Sequence, residues 1–400
     1  MNKTLNKSIA FFFTMCFALS TNSSFSQELT KADNDLLLSD ISQKQIVALG
    51  DATHTDYTAS KFRVDLIKEL IEKYNFSIIG IESNLYEVYK AFEDFKTTGN
   101  ISKMNSSLYY VVRSNELDKL FFFLKEQNEK GNNIKVYGFD PSFSGDNTHE
   151  TFTKAIQANL NHIEIECKDI SLEDFSKHLK KLRITNLKAL LRTKKDYRVV
   201  HDYLTCYFDN ISPTDDNEDL NRYLFNIKTS FGNKLEGKKS KGKNSDIIRD
   251  SLMFDNIVYL KNKYPNEKMI LFGSSSHFIK SPKAINSKFM QNSGWTSLGE
   301  RLSNKFHDDY FFIAYTGISG NTRGFHGKKQ KLKELITNSI ENTVNEKYDS
   351  KIEIMYLSVN RDKPILDEAV YSRFLGNTFY KINLTKTVDG LFFIRNNNME

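Results

Sequence analysis

The stretch that decides the fold reads Gln45-Ile-Val-Ala-Leu-Gly-Asp-Ala-Thr-His54, an apolar run that ends in Gly, Asp and His. In the following residues, 58–74, apolar side chains recur at helical spacing, and a second apolar run, Ser77-Ile-Ile-Gly-Ile81, comes next. Short continuous apolar runs are typical of strands buried on both faces. A strand, a helix and a strand in so few residues predict a right-handed crossover between parallel strands.

Further apolar runs extend this pattern along the chain. They are strand candidates at residues 134–139, 268–272, 310–315, 351–357 and 391–394, and residues 117–128 supply another helix. Between about 151 and 264 charged and aliphatic residues alternate with almost no strand signal, which predicts a helical insertion with a polar loop at 232–244. We therefore predict an α/β fold in which helices flank a mainly parallel sheet and the insertion lies over the carboxyl ends of the strands.

The first residues predict export. Lys3 and Lys7 precede an apolar run at residues 9–19, and Ser24 and Ser26 follow it, as in a cleavable secretory signal. We expect cleavage after Ser26, so that 1–26 is a signal peptide and 27–400 a mature domain in the periplasm or outside the cell. The run is too short to span a membrane, and no later stretch is long and apolar enough, so we expect no integral membrane segment after cleavage.

Composition favours an ordinary globular protein and gives no sign of nucleic-acid binding. Charged residues make up 26% of the chain and hydrophobic residues 39%, and the formal charge is +6. The basic clusters at residues 234–243 and 328–333 lack the interleaved aromatics of a nucleic-acid binder, and a solvated loop and a solvated helix start explain them. After signal cleavage Cys167 and Cys206 remain, either as a disulfide formed in an oxidising compartment or as two buried thiols. The sequence does not indicate an oligomeric state.

The residues that follow the first four strand runs predict a functional site. Ligands bind beyond the carboxyl ends of the strands in an open α/β sheet, so groups at these ends should converge. A single Asp after a strand often caps a helix, and a lone His is more often structural than catalytic. Here, however, four strand ends all carry polar groups: Asp51 and His54, Glu82, Asp140, and Ser274 with His277.

Arg63 adds a cation to this edge of the sheet. It precedes Ile67 and Leu70 by one and two helical turns, on or beside the face turned towards the sheet. An unpaired buried guanidinium is costly, so we expect Glu82 or Asp51 as its partner. The alternative is a surface arginine that extends past the apolar stripe.

These residues resemble the N-terminal signature of the erythromycin esterase family, which also includes succinoglycan biosynthesis-type proteins. In that signature Gly-Glu-x-x-His precedes a helix that carries Arg and a strand that ends in Glu; here the segments are Leu49-Gly-Asp-Ala-Thr-His54, Arg63 and Ile81-Glu82. The resemblance continues in order over most of the mature chain. It includes Tyr137-Gly-Phe-Asp140, residues 248–256 (Ile-Arg-Asp-Ser-Leu-Met-Phe-Asp-Asn), residues 294–301 and Asp308-Asp-Tyr310.

The resemblance implies hydrolysis of an ester or lactone, macrolide lactones being the best-known substrates, by a water that a histidine activates. It implies His54 as general base, with Asp51 and Glu82 orienting it or holding substrate. Arg63 would order the acids or stabilise the oxyanion, a role that His277 could share. We expect Asp140 and Ser274 to contact the substrate. This mechanism needs no metal or other cofactor, and its partner is a small-molecule substrate.

Two positions differ from the family pattern. The acid before the histidine is Asp51 rather than Glu, which makes it one methylene shorter. Where the family usually has His-Asn-x-His after the later strand, this chain reads Ser274-Ser275-Ser276-His277. A hydroxyl cannot be a cation or take a proton at neutral pH, so Ser274 argues against macrolide hydrolysis.

Three other functions compete with a metal-free carboxylic ester hydrolase. Two histidines and up to three carboxylates could hold a divalent metal that activates water, although no compact motif such as His-Glu-x-x-His is present. Ser275 or a neighbouring serine could be a nucleophile, although the Gly-x-Ser-x-Gly elbow is missing. An exported binding or envelope-biogenesis protein could keep the pocket without turnover; the Ser274 replacement favours this function, and the retained charged groups argue against it.

Overall fold

The computed structural model describes residues 29–54, 56–142, 145–146, 154–156, 158, 167, 170–183, 192–210, 217–236, 243–292, 294–323, 328–359, 361 and 369–399. The expected signal peptide lies outside these residues. In this part of the chain the strands are β1 (Ile46–Asp51), β2 (Phe76–Asn84), β3 (Lys135–Asp140), β4 (Lys268–Ser274), β5 (Tyr310–Arg323), β6 (Lys329–Lys331), β7 (Ile354–Ser358), β8 (Val370–Ser372), β9 (Tyr380–Ile382) and β10 (Gly390–Asn397). The helices are α1 (Lys31–Ile41), α2 (Tyr57–Tyr74), α3 (Leu85–Thr98), α4 (Ile101–Ser107), α5 (Asn115–Glu129), α6 (Leu172–Arg183), α7 (Lys194–Asn210), α8 (Glu218–Glu236), α9 (Lys243–Lys263), α10 (Ser275–Phe278), α11 (Lys288–Asn292), α12 (Leu298–Phe306), α13 (Ile340–Lys347) and α14 (Leu384–Thr387).

One mainly parallel sheet organises the molecule, which confirms the predicted fold class. Its strands follow the order β3-β2-β4-β1-β5-β10-β7, with β6 paired to β5. All pairs from β3 to β10 are parallel, whereas β7 and β6 pair antiparallel at the periphery. The crossover from β1 through α2 to β2 skips one position in the sheet, because β4 lies between the two strands.

The register brings the strand ends to one edge. Asp51 of β1 is paired with Ser274 of β4, and Asn84 of β2 is paired with Asp140 of β3. Strands β1 to β4 are buried on both faces along most of their length, as their continuous apolar runs predict. Helices α2 and α5 cover one face, and α9 and α12 cover the other.

Local signals set where these helices begin and end. The Ser114 side chain accepts a hydrogen bond from the backbone N–H of Leu117 and so caps the start of α5 at 3.2 Å. Asn84 caps α3 in the same way, with the N–H of Glu87 at 2.9 Å. Asn75 adopts the left-handed conformation, with φ of 59°, and ends α2 directly before β2.

The described residues between β3 and β4 are mainly helical and have an apolar core of their own. Phe175, Tyr203, Tyr207 and Leu224 are among the buried side chains that join α6, α7 and α8. A disulfide between Cys167 and Cys206, with Cα atoms 5.6 Å apart, crosslinks this region.

Two local expectations were wrong. The predicted polar loop at 232–244 does not include its first five and last two residues, because α8 continues to Glu236 and α9 begins at Lys243. The ring of Phe231 packs on Tyr197 with centroids 5.2 Å apart, and this packing continues the helix through Gly232 despite the weak helix propensity of glycine. The basic residues at 328–333 contain the strand β6 rather than a helix start, because the long β5 offers a free edge to pair with.

Candidate active site

Polar side chains from four neighbouring strands meet at the carboxyl edge of the sheet. Asp51, Glu82 and Asp140 are each at most 2% exposed although each carries an ionisable carboxyl group. Burial of several carboxylates is costly unless cations compensate them, so the cations around them define the site.

Arg63 lies beneath the strand ends and pairs with Asp51. Its side chain is fully buried, and its Nη2 atom is 2.8 Å from the Asp51 carboxylate. The guanidinium also lies over the ring of Phe272, 3.7 Å from the centroid, and near the carbonyl oxygens of Leu49 and Gly273 at 3.5 Å each. Of the two partners expected for Arg63, the structure selects Asp51. A fully buried guanidinium does not face a substrate, so its geometry fits the ordering of Asp51 rather than the stabilisation of an oxyanion.

His54 lies between two carboxylates. Its Nδ1 is 3.4 Å from Asp51, and its Nε2 is 3.9 Å from Glu82. Burial opposes protonation of the ring, but the two carboxylates together raise the pKa of His54 above its ordinary value. The side chain keeps 20% exposure, so it is accessible from solvent.

Glu82 is the shared anion of the site. One of its oxygens contacts both Arg249 at 2.9 Å and His277 Nε2 at 3.3 Å. The other accepts a hydrogen bond from the backbone N–H of Ser274 at 2.7 Å and faces His54. Burial would raise the pKa of the Glu82 carboxyl, but the cations of His277, His54 and Arg249 hold it well below its usual range. Gly273 permits this approach, because a Cβ atom there would come within 2.8 Å of the Glu82 carboxylate.

His277 is held as a cation by two acids. Its Nδ1 is 2.6 Å from Asp250, whose other oxygen accepts hydrogen bonds from the indole of Trp295 and the backbone N–H of Leu298, each at 3.1 Å. Burial opposes the charge, yet Asp250 and Glu82 raise the pKa of His277 to about 10. At neutral pH this imidazole therefore carries a proton, so it can donate hydrogen bonds but cannot act as a base.

Arg249 of α9 bridges the strand ends from the other face of the sheet. It donates to Asp140 through Nε at 3.1 Å and through Nη2, and the same Nη2 contacts Glu82. Its Nη1 is 3.0 Å from His277 Nε2. The side chain is 30% exposed, which makes it the guanidinium of this cluster that solvent reaches.

Ser274 and Asp140 have structural contacts of their own. The Ser274 hydroxyl is 3.3 Å from the N–H of Ser276 and caps the short helix α10, which carries His277. Asp140 accepts a hydrogen bond from the backbone N–H of Ser142 at 2.8 Å and pairs with Arg249. Both residues lie at the strand ends, where they support the charged groups.

Together these groups form a nearly neutral cluster only when the histidines are charged. Four carboxylates face two guanidiniums, which leaves two negative charges for the two imidazoles to compensate; the groups are Asp51, Glu82, Asp140, Asp250, Arg63, Arg249, His54 and His277. This balance is the physical reason that the pKa values of both histidines are raised.

Comparison with known proteins places this chain in a family. A sequence model of the erythromycin esterase family matches residues 71–397. The chain belongs to the erythromycin esterase family. The match covers Glu82, Asp140, Arg249 and His277 and begins after His54.

Relatives of this family member are distant. YbfO of Bacillus subtilis (strain 168), named as a candidate hydrolase, is 23% identical over 296 residues, which are 69% of this chain and 66% of that protein. The erythromycin esterase type II of Escherichia coli is 22% identical over 390 residues, 88% of this chain and 90% of that protein. The crystal structure of a succinoglycan biosynthesis protein has the same fold, with a TM-score of 0.71 at 15% identity over 90% of both chains.

The structure of this erythromycin esterase family member brings together every residue that the sequence singled out at the strand ends. Sequence reasoning missed Arg249 and Asp250 as site residues, although both lie in the 248–256 segment that carries the resemblance to the family. The sequence signal that could have identified them is an Arg followed by an Asp within a mainly apolar segment. Only the docking of α9 against β3 and β4 shows that both side chains point into the site.

Two further findings concern partners and ligands. In the described ranges no helix has the length and apolar character that a bilayer crossing requires. Across the same part of the chain, no three His, Cys, Asp or Glu side chains are arranged as ligands of one metal ion.

Proposed function

We propose that this protein is an exported hydrolase that cleaves an ester or lactone with a water molecule activated by His54. The observation that carries the proposal is the different state of the two histidines. His277 is fixed as a cation between Asp250 and Glu82, whereas His54 is more weakly held and accessible from solvent. A fixed imidazolium beside a second, solvent-accessible imidazole suits a site in which one group stabilises charge and the other transfers a proton.

In the proposed reaction Asp51 fixes the orientation of the His54 ring through Nδ1, and neutral Nε2 accepts a proton from water. The oxygen of that water forms a bond to the carbonyl carbon, and the carbonyl electron pair moves to oxygen. When the tetrahedral intermediate collapses, the bond to the alcohol oxygen breaks and protonated His54 returns the proton to it. No covalent enzyme intermediate is needed.

The oxyanion needs a nearby positive charge, and Arg249 supports this role better than Arg63. Arg249 is partly exposed and its Nη1 lies 3.0 Å from His277 Nε2, so two cations held by the neighbouring carboxylates already stand side by side at the edge of the site. Donors aligned before the reaction stabilise developing charge without reorganisation. Arg63, by contrast, holds Asp51 from below.

The function is tested by a hydrolysis screen with activated esters, lactones and macrolides. We expect His54→Ala to lower kcat by about 10²- to 10⁴-fold while the circular dichroism spectrum and melting temperature stay near those of the wild type, because the base acts only in the chemical step. His178→Ala is a matched control, since His178 pairs with Asp196 in the helical region. Equal rates with and without a chelator are expected; loss of rate with the chelator would favour the metal mechanism.

Export is a second part of the proposal. The lysines and apolar run of the first residues support it, and so does the bond between Cys167 and Cys206, because disulfides persist in oxidising compartments. Mass spectrometry of protein from its native host should find a mature chain that begins near Gln27. An intact first segment on the accumulated protein would contradict this part.

A binding protein without turnover is the alternative outside catalysis, and the engagement of Ser274 in helix capping favours it. If purified protein binds ring-containing or acyl ligands but hydrolyses none of the screened compounds, this function replaces the hydrolase.

A further inference from the structure

Two adjacent tyrosines are exposed to solvent beside the candidate active site. Tyr109 is 36% exposed and Tyr110 is 69% exposed, and their rings meet edge to face with centroids 5.2 Å apart. An exposed large aromatic pair contributes little to a core, so it is an informative feature of a protein surface. We call Tyr109 and Tyr110 the tyrosine pair.

The tyrosine pair is fixed to the strand end that carries Glu82. The backbone N–H of Tyr109 donates to the hydroxyl of Ser83, the residue after Glu82, at 2.9 Å. Ser83 is fully buried, so the backbone of the pair is tied to the rigid end of β2. The pair therefore borders the strand end that carries Glu82, in the segment between α4 and α5.

The segment around the tyrosine pair is also held at both ends. Leu108 and Val112 are buried in the core. The Arg113 guanidinium donates to the carbonyl oxygen of Leu108 at 2.8 Å and pairs with Asp146 at 3.0 Å. Exposed rings on a fixed backbone lose little conformational entropy when a ligand binds.

The charged groups of the site interact electrostatically with Tyr109. Burial raises the pKa of Tyr109, and the neighbouring Tyr110 together with the charges of Arg249, Asp140 and Glu82 acts on the same hydroxyl. The Tyr109 ring thus lies within the electrostatic field of the residues that we assign to the reaction.

We propose that the tyrosine pair is a binding subsite for an aromatic ring of the substrate, next to the ester bond that is hydrolysed. Aromatic rings prefer stacked or edge-to-face partners with centroids 4.5–7 Å apart. Because the two tyrosine rings stand at 72° to each other, an incoming ring can stack on one and meet the edge of the other. This subsite rests on the proposed hydrolytic function and narrows its substrates to esters with an aromatic acyl or alcohol part.

The test compares matched aromatic and saturated esters, with the full mature chain. Ethyl phenylacetate and ethyl cyclohexylacetate vary the acyl part, and benzyl acetate and cyclohexylmethyl acetate vary the alcohol part. The wild type should prefer the aromatic member of at least one pair. Tyr109→Ala and Tyr110→Ala should reduce that preference in kcat/KM by about 2- to 10-fold, because a ring–ring contact contributes free energy of this size.

Three control variants separate ring contact from unfolding. Tyr109→Phe and Tyr110→Phe keep the rings and should keep the preference. Phe225→Ala removes an exposed aromatic of α8, 43% exposed, and should change neither the preference nor turnover. If the wild type hydrolyses these esters and the alanine variants keep the full preference, the subsite is wrong and the hydrolytic function stands.

A binding experiment distinguishes failure of the hydrolytic function from failure of the subsite. If no ester is hydrolysed, phenylacetate and cyclohexylacetate are titrated against wild type and variants by ligand-observed NMR. Tighter binding of phenylacetate that both alanine variants abolish would retain the subsite without the reaction. Equal binding of the two acids, or binding that the tyrosine variants leave unchanged, would overturn it.

Discussion

At the scale of single residues, Glu82 acts on the protonation of both histidines, together with Asp51 at His54 and Asp250 at His277. Its two oxygens face His54 and His277, so one buried charge raises the pKa of two imidazoles at once. A base must be neutral to accept a proton, and a raised pKa of His54 moves the onset of activity to higher pH. The raised pKa makes His54 a stronger base but lowers activity at acidic pH, where the ring is protonated.

This arrangement predicts the effect of Glu82→Gln on the pH profile. Loss of the carboxylate lowers the pKa of His54, so the acidic limb of kcat/KM should move to lower pH. Stopped assays of residual hydrolysis from pH 4 to 9 would measure the shift. Glu69→Gln is the control, because it removes a carboxylate that is 1% exposed and pairs with Lys73. The acidic limb of kcat/KM in this variant should stay at the pH of the wild type. An unmoved limb in Glu82→Gln would assign the titration to another group.

The sequence predicts this part of the site because strand ends are fixed by short-range pattern. Asp51 and Glu82 each follow directly on an apolar run, so their meeting at one edge needs only the parallel arrangement of the strands. Arg249 could not be placed in this way. Its position depends on the rotation of α9 and on its packing against the sheet, and neither follows from the local order of apolar and polar residues.

At the scale of elements, the loop that carries His54 is held by Asp56 and by the last strand. The Asp56 carboxylate, 5% exposed, accepts hydrogen bonds from the hydroxyls of Thr53 at 2.8 Å and Thr322 at 3.1 Å. The backbone N–H of Tyr57 donates to Asn398 beyond the end of β10 at 2.9 Å. The extension of β5 to Arg323, longer than the sequence predicted, is what brings Thr322 to this loop.

Asp56 predicts a pH dependence of stability. Burial raises the pKa of Asp56 from 3.8 to about 6, so the folded protein favours the protonated carboxyl. Its contribution to the free energy of unfolding is complete below about pH 4 and is lost as the pH rises through about 6; the size is on the order of 3 kcal/mol. Between pH 5 and pH 7.5 the free energy of unfolding of the wild type, measured by urea titration, should fall by about 1.4 kcal/mol relative to Asp56→Asn, because the rest of the contribution is already lost between about pH 4 and pH 5. If the free energies of unfolding of the wild type and of Asp56→Asn change equally between the two pH values, Asp56 does not titrate in this window.

At the scale of the whole molecule, hydrogen bonds and ion pairs couple the helical region to the site. Tyr223 of α8 donates to the carbonyl oxygen of Ser142 at 3.3 Å, and Ser142 in turn binds Asp140. Arg249 reaches the site from α9, the last helix before β4. The sequence predicts that a helical segment interrupts the sheet, because its alternating charged and aliphatic residues lack strand signals. How its helices pack on one another depends on contacts between residues far apart in sequence, such as Tyr203 with Phe175.

The disulfide gives the last prediction, at this largest scale. Cys167 and Cys206 are 39 residues apart, and a crosslink of this span restricts the unfolded chain enough to stabilise the folded state by about 2–4 kcal/mol. We expect Cys206→Ser to lower the free energy of unfolding by that amount, measured by urea titration of the helical signal at 222 nm. Addition of dithiothreitol should destabilise the wild type equally and leave Cys206→Ser unchanged, because only the wild type has a bond to reduce. If the oxidised and reduced wild type unfold at the same urea concentration, the bond contributes nothing, and the buried core of the helical region holds it together alone. Because Arg249 belongs to the last helix of this region and completes the site, a weakened helical region should also lower hydrolysis at temperatures where α1 to α5 and the sheet are still folded.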